Sequence, residues 1–302
     1  MHLRQQSAME YLMTYGWAIL IVAIVVVALY QLGIFNNSSI APRAVAGACQ
    51  VVHNAAGSSL AGQCNNEIPQ YVAQFNGKSS YITVPASAFG YTTNGNTNNY
   101  PLTISVWFYT SQNGLILGQD DAVYPPGSPS GWVPALYVDA NGLLRASVFW
   151  HGSVSYQVVS STPYNTDTWH NLVDVYSNGI ETLYVDGNKL GSESVAEESY
   201  NAAYYYFIGT GFSSSWPSTN NGWFYFNGSI ANVQAYNTSL TQNEILLLYQ
   251  EGIGDAPIDP THVVGWWPLN GNAQDYSGNN NNGAVFGGVS YSSTWSSGYV
   301  AP

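Results

Sequence analysis

From Tyr71 onward, apolar and polar positions alternate in short runs that turn residues interrupt. YVAQFNG (71–77), SYITVP (80–85), LTISVWFYT (102–110), ALYVDANGLLRASVFW (135–150), HNLVDVYSNGIETLYVDGNKLG (170–191), YYYFIGTG (204–211) and WFYFNGSIANVQAYN (223–237) have the period of two and the β-branched and aromatic content of strands. Asn141-Gly142 and Asn178-Gly179 sit between strand-like runs, and Asp186-Gly187 is a third such pair. These residues tolerate the positive φ of a tight hairpin. About a dozen strands at this spacing predict a mainly β fold, a two-sheet antiparallel sandwich of the jelly-roll kind. One stretch departs from the pattern. Ser239–Tyr249 reads as a short helix, with Thr241 at the N-cap and Glu244 three residues on, a capping box.

The first forty residues follow a different pattern. No charged residue lies between Tyr11 and Phe35, and Trp17–Tyr30 (WAILIVAIVVVALY) is apolar almost throughout. About 20 such residues span a bilayer, so a transmembrane helix is predicted. The run exceeds the roughly 7–15 residues of a cleaved secretory signal. Glu10 sits at its edge, where a carboxylate is costly in lipid and marks function. RQQSAMEYLMTYGWAIL resembles the class III signal peptide of archaeal type IV pilin-like proteins. The resemblance covers residues 1–35. It implies a leader at 1–5, a cut between Gln5 and Gln6, and a retained hydrophobic helix at 6–35. Glu10 would then pair with the amine of a neighbouring subunit and set the register of a homo-oligomer or filament. Gln5 stands where the family has a small residue, and Arg4 is the one firm cation of the leader. The alternative is an unprocessed membrane anchor.

Asn36–Ala48 (NNSSIAPRAVAGA) reads as a linker leaving the membrane. Asn36, Asn37, Asn227 and Asn237 each open an N-glycosylation sequon. Cys49 and Cys64 are the only cysteines; outside the membrane they form a candidate disulfide, with two buried thiols as the alternative. Charge narrows the classes further. Seventeen acidic against five basic side chains give a net charge of −12. Five cations cannot make the basic stripe that nucleic-acid binding needs. A chain that is 46% hydrophobic and 15% aromatic is not an acidic disordered tail.

FNGKSSYITVP, LTISVWFYT, TWHNLVDVYSNGIETLYVDGNKLG and FNGSIANVQAYNTSLTQNEI, in this order, resemble the concanavalin A-like (laminin G-like) jelly roll over about residues 70–255. The resemblance implies a cell-surface recognition module for glycans or proteins, often with calcium; some relatives are glycosidases. VVGWWPLNGNAQDYSGNNNNGAVFGGVSY (263–291) resembles the segment that opens such a domain, yet comes last. Either it is a truncated second repeat, or the head (49–302) is permuted and 263–302 supplies its missing strands. Permutation is the expectation, because a fragment would leave Val264, Trp266, Trp267 and Leu269 unburied.

No catalytic residues are assigned. A glycosidase needs two carboxylates about 5–9.5 Å apart. The best pair is Asp174 with Glu181, which the Asn178-Gly179 turn places as diagonal neighbours on one face, although such pairs are most often solvated. No cofactor is assigned with certainty; calcium is a candidate for Asp120, Asp121, Asp139 and Asn141, the last two having turn formation as their alternative role. Sugars stack on exposed aromatic rings. Trp107 and Trp169 lie in strand runs and are expected in the core. Trp132, Trp150, Trp216 and Trp223 lie near loops or strand ends and, with His151, Asp120 and Asp121, form the candidate ligand site. The loop Gly118–Trp132 is its expected centre. The sequence thus points to a membrane-anchored or pilus-assembled cell-surface adhesin, with a purely structural envelope subunit or a glycan-degrading enzyme as alternatives.

Overall fold

A computed structural model describes residues 3–31, 43–45, 47–48, 51–53, 59–61, 68–89, 101–121, 124–195, 205–296 and 299–302. Leu3–Gln31 is one α-helix of 29 residues that takes in Gln5, Gln6 and Glu10. Its described side chains, 13–28, are all exposed, from 48% at Leu20 to 68% at Ile19 among the large apolar ones. Among the described residues, no helix is long and apolar enough to cross a membrane.

The remainder is built from strands. Two small pairs come first: β1 (Arg43–Ala44) with β4 (Ile68–Pro69), and β2 (Val51–His53) with β3 (Ser59–Ala61). Arg43 and Ala44 lie in the stretch read as linker, but Ala44 is buried and the Arg43 guanidinium donates to Ser293 O and Ser296 Oγ, both at 3.0 Å. The C-terminal segment thus holds them. Then follow β5 (Val72–Asn76), β6 (Tyr81–Val84), β7 (Leu102–Tyr109), β8 (Gly114–Asp120), β9 (Trp132–Val138) and β10 (Leu143–Ala146). Next are β11 (Val158–Pro163), β12 (Trp169–Ser177), β13 (Ile180–Val185), β14 (Asn188–Ser194) and β15 (Tyr205–Ile208). The last are β16 (Asn227–Tyr236), β17 (Val263–Trp267), β18 (Ala284–Phe286) and β19 (Ser290–Ser292).

Two antiparallel sheets face each other. One runs β11-β10-β9-β8-β15-β6-β18; the other runs β14-β13-β12-β7-β16-β5-β19, with β17 also on β16. Between them lies a core to which both contribute, including Ile82, Leu117, Leu136 and Leu144 from one and Phe75, Ile104, Phe108 and Leu172 from the other. The second sheet is covered on its outer face too. Helix Gln242–Glu251 brings Ile245 and Leu248 onto Val173, Val175 and Trp266. Its Thr241–Glu244 capping box forms as the sequence predicts: Glu244 N–H donates to Thr241 Oγ1 at 3.3 Å and Thr241 N–H to Glu244 Oε2 at 2.7 Å. Trp107 and Trp169 are buried on the same outer face with Trp295 and Tyr299.

The predicted turns are present. Asn178-Gly179 joins β12 to β13 with φ of 51° and 72°, and Asp186-Gly187 joins β13 to β14 with φ of 50° and 73°. Residues 263–302 enter both sheets: β17 pairs with β16, β18 with β6 and β19 with β5. Trp266, Trp267 and Leu269 are fully buried there, and Trp267 Nε1 donates to Asn281 O at 2.9 Å. Asn36, Asn37, Cys49 and Cys64 lie outside the described residues. Asn237 is exposed and Asn227 half-buried at the start of β16.

Candidate functional site

Three tryptophans from separate parts of the sequence meet at one end of the sandwich. Trp132 opens β9, Trp150 follows β10, and Trp216 lies in the connection between β15 and β16. Together with Ser130, Gly131, Val154, Ser214 and Ser215 they line an open cleft of about 360 Å³. Each is held. Trp132 Nε1 donates to Ser214 O at 3.2 Å. Trp216 N–H donates to Ser213 O at 3.1 Å, and the ring meets Trp150 edge-on at 5.9 Å and 67°. Tyr137 on β9 ties down the segment after Trp216, its hydroxyl donating to Pro217 O at 3.0 Å and lying 3.1 Å from Gln157 Oε1. Burial pushes that hydroxyl up to about 12, so it stays protonated.

Not every expected residue lines the cleft. The expected loop is shorter than Gly118–Trp132, because β8 runs to Asp120 and β9 starts at Trp132. Asp120 is the last residue of β8, and Asp121 lies in the bend that follows it. Asp120 is fully buried, whereas Asp121 Oδ2 accepts from the Ser130 amide at 3.1 Å and hydroxyl at 2.7 Å, tying down a wall residue. Trp223 is half-buried; its Nε1 donates to Gly127 O at 2.6 Å and its ring reaches Trp132 only through Phe212. His151 turns inward and is buried, bonding to Glu181 rather than facing the cleft.

The calcium donors do not converge. Asp139 Oδ1 accepts the amides of Asn141 and Leu143 at 2.8 and 3.1 Å, and Oδ2 accepts Arg145 Nε at 2.8 Å. Those bonds make the β9–β10 turn and occupy both oxygens, while Asn141 is exposed at its tip. Among the described residues, no three His, Cys, Asp or Glu side chains gather as a metal site. Asp174 and Glu181 are diagonal neighbours as expected, since Tyr176 opposes Glu181 and Leu183 opposes Asp174. They are not on a solvated face: both point between the sheets and are buried. Val154, Phe212 and the serines of the walls carry no pattern that singles them out in the sequence.

A two-sheet jelly roll with an aromatic cleft at its end has the build of a lectin-like recognition domain. A family model described as the concanavalin A-like lectin/glucanases superfamily matches residues 76–246, more than half of the chain, and the chain belongs to that family. No curated protein matches the chain. Among solved structures, it is similar to a proposed carbohydrate-binding protein from Bacteroides ovatus, at 16% identity and TM-score 0.47, over 75% of this chain and 61% of that one. The native heptameric SAP-like pentraxin of Limulus polyphemus is similar at 15% identity and TM-score 0.46, over 73% and 94% of the two chains. Domain 4 of an extracellular arabinanase from Geobacillus stearothermophilus, in complex with arabinotriose, is similar at 16% identity and TM-score 0.39, over 68% and 82%. The chain thus spans less than two thirds of the length of the first of these.

Proposed function

We propose that the head binds glycan chains in the cleft of Trp132, Trp150 and Trp216, and that the N-terminal helix holds it at the cell surface. The convergence of three indole rings from three segments carries this reading: half-buried Trp132 and Trp150 stand among serine hydroxyls, and buried Trp216 backs Trp150. Ring faces take the apolar faces of sugars, and hydroxyls and carbonyls take their hydroxyl groups. Membership of a superfamily that includes lectins supports it. We read the domain as binding rather than hydrolysing, because Asp174 and Glu181 are buried between the sheets. A helix whose side chains at 13–28 are exposed and mostly apolar needs lipid or other helices around it, which supports anchoring.

For that helix, processing between Gln5 and Gln6 and pairing of Glu10 within a filament form the further part of the proposal. An intact Met1 in mass spectrometry of membrane-extracted protein would exclude processing. The cleft is tested on a glycan array with the full-length protein and its W132A and W150A variants. Retention of a defined glycan set by the wild type, lost in both variants, is expected. Equal retention by all three would place the site elsewhere.

A further inference from the structure

Beneath the cleft lies a buried polar cluster. Glu181 on β13 and Asp174 on β12 project into the apolar space between the sheets, with 0% and 1% exposure, and neither carboxylate oxygen of Asp174 has a hydrogen-bond partner among the described residues. Burying two carboxyl groups is costly unless each is well bonded. Burial, and then the charge of Glu181, hold the Asp174 carboxyl well above the usual carboxylate range.

The bonds of Glu181 lead upward. Its Oε1 accepts the Val148 N–H at 2.5 Å, and its Oε2 lies 2.8 Å from His151 Nε2. Val148 and His151 stand on either side of Trp150 in a segment that belongs to no strand. Such a segment lacks ladder bonds and must find its partners elsewhere. Gln119 Nε2 donates to Val148 O at 2.5 Å, the His151 ring stacks on Tyr176 at 5.7 Å and 25°, and Phe149 meets Tyr176 edge-on at 5.1 Å. Val148, Phe149 and His151 are thereby locked into the core, while half-buried Trp150 turns out to the cleft and meets Trp216.

We propose that Glu181 is a positioning residue of the cleft, a strand-borne carboxylate that fixes Trp150 by holding Val148 and His151 on either side of it. Its effect on sugar affinity rests on the cleft reading above; its effect on the Trp150 ring does not. The test uses the full-length protein in detergent, labelled with 5-fluorotryptophan, in which ¹⁹F NMR resolves the tryptophans and W150F assigns Trp150. The double variant E181L/D174L replaces both carboxyl groups by apolar side chains and takes the Glu181 partner from the Val148 N–H and the His151 ring, so unmoved lines of Trp107, Trp169 and Trp267 are the check that the head stays folded.

In that variant the Trp150 line is expected to move toward the solvent-exposed position, with the lines of Trp107, Trp169 and Trp267 unchanged. Hexasaccharides of glucose, mannose or arabinose that bind the wild type should bind it about tenfold or more weakly. E181Q keeps an acceptor for Val148 and a hydrogen-bond partner for His151. Its Trp150 line should stay in place and its affinity within about threefold of the wild type. An unmoved Trp150 line in E181L/D174L would overturn the proposal. Should no hexasaccharide bind the wild type, the cleft reading fails for these sugars, and the Trp150 line still decides the role of Glu181.

Discussion

Glu181→Gln removes one ionisation from the buried pair and leaves its shape. In the wild type, burial raises the Glu181 carboxyl from 4.5 to about 7, against the hydrogen bond from the Val148 N–H, which lowers it. Between those values the folded chain keeps a proton that the unfolded chain has released, so stability falls as pH rises. The contribution is fully present below pH 4.5 and is lost as pH climbs through about 7. At about 1.4 kcal/mol per pH unit, the loss over this interval is about 3 kcal/mol. E181Q does not titrate at this position. The stability of the wild type minus that of E181Q should therefore fall by about 3 kcal/mol between pH 4.5 and 7 and then level off. Urea denaturation of both full-length proteins, followed by near-ultraviolet circular dichroism in small pH steps, measures it. Taking the difference cancels the carboxylates remote from Glu181. A difference that stays constant, or that grows in favour of the wild type as pH rises, would refute the reasoning.

Deleting 263–302 removes β17, β18 and β19 and leaves the edges of β5, β6 and β16 unpaired, so the truncated chain should aggregate; light scattering that shows the dispersity of the full-length protein would count against it. Trp267→Ala empties a fully buried site and should cost about 3–5 kcal/mol in urea denaturation. Thr241→Ala removes the acceptor that caps helix Gln242–Glu251 and should cost about 1 kcal/mol by the same assay, with the fold unchanged.

Local signals carried most of the architecture. Asn178-Gly179 and Asp186-Gly187 fix two hairpins through backbone conformation that few other residues accept, and Thr241 with Glu244 fixes a helix start. These depend on neighbours in sequence, and so are legible there. The positions of Trp132, Trp150 and Trp216 near loops and strand ends point to their grouping, because a sandwich brings such positions together at its rims. The burial of Asp174 and Glu181 was not legible. β12 is covered on both faces, by the core at Leu172 and Tyr176 and by the outer layer at Val173 and Val175. Alternation therefore says that Asp174 shares a face with Leu172 and not which face meets solvent. His151 misleads for a related reason, because its inward turn depends on Glu181, 30 residues away in sequence. Asp139 forms the turn that was its alternative role, and Arg145, six residues on, takes its second oxygen.

Titration of the fluorotryptophan-labelled full-length protein with glucose, mannose and arabinose hexasaccharides tests the central claim most directly. The account predicts that for at least one of them the lines of Trp132, Trp150 and Trp216 move together and saturate on one isotherm. The lines of the buried Trp107, Trp169, Trp266 and Trp267 should hold still. A saturable change confined to tryptophans outside the cleft, or lines that never move for any of the three sugars, would contradict it.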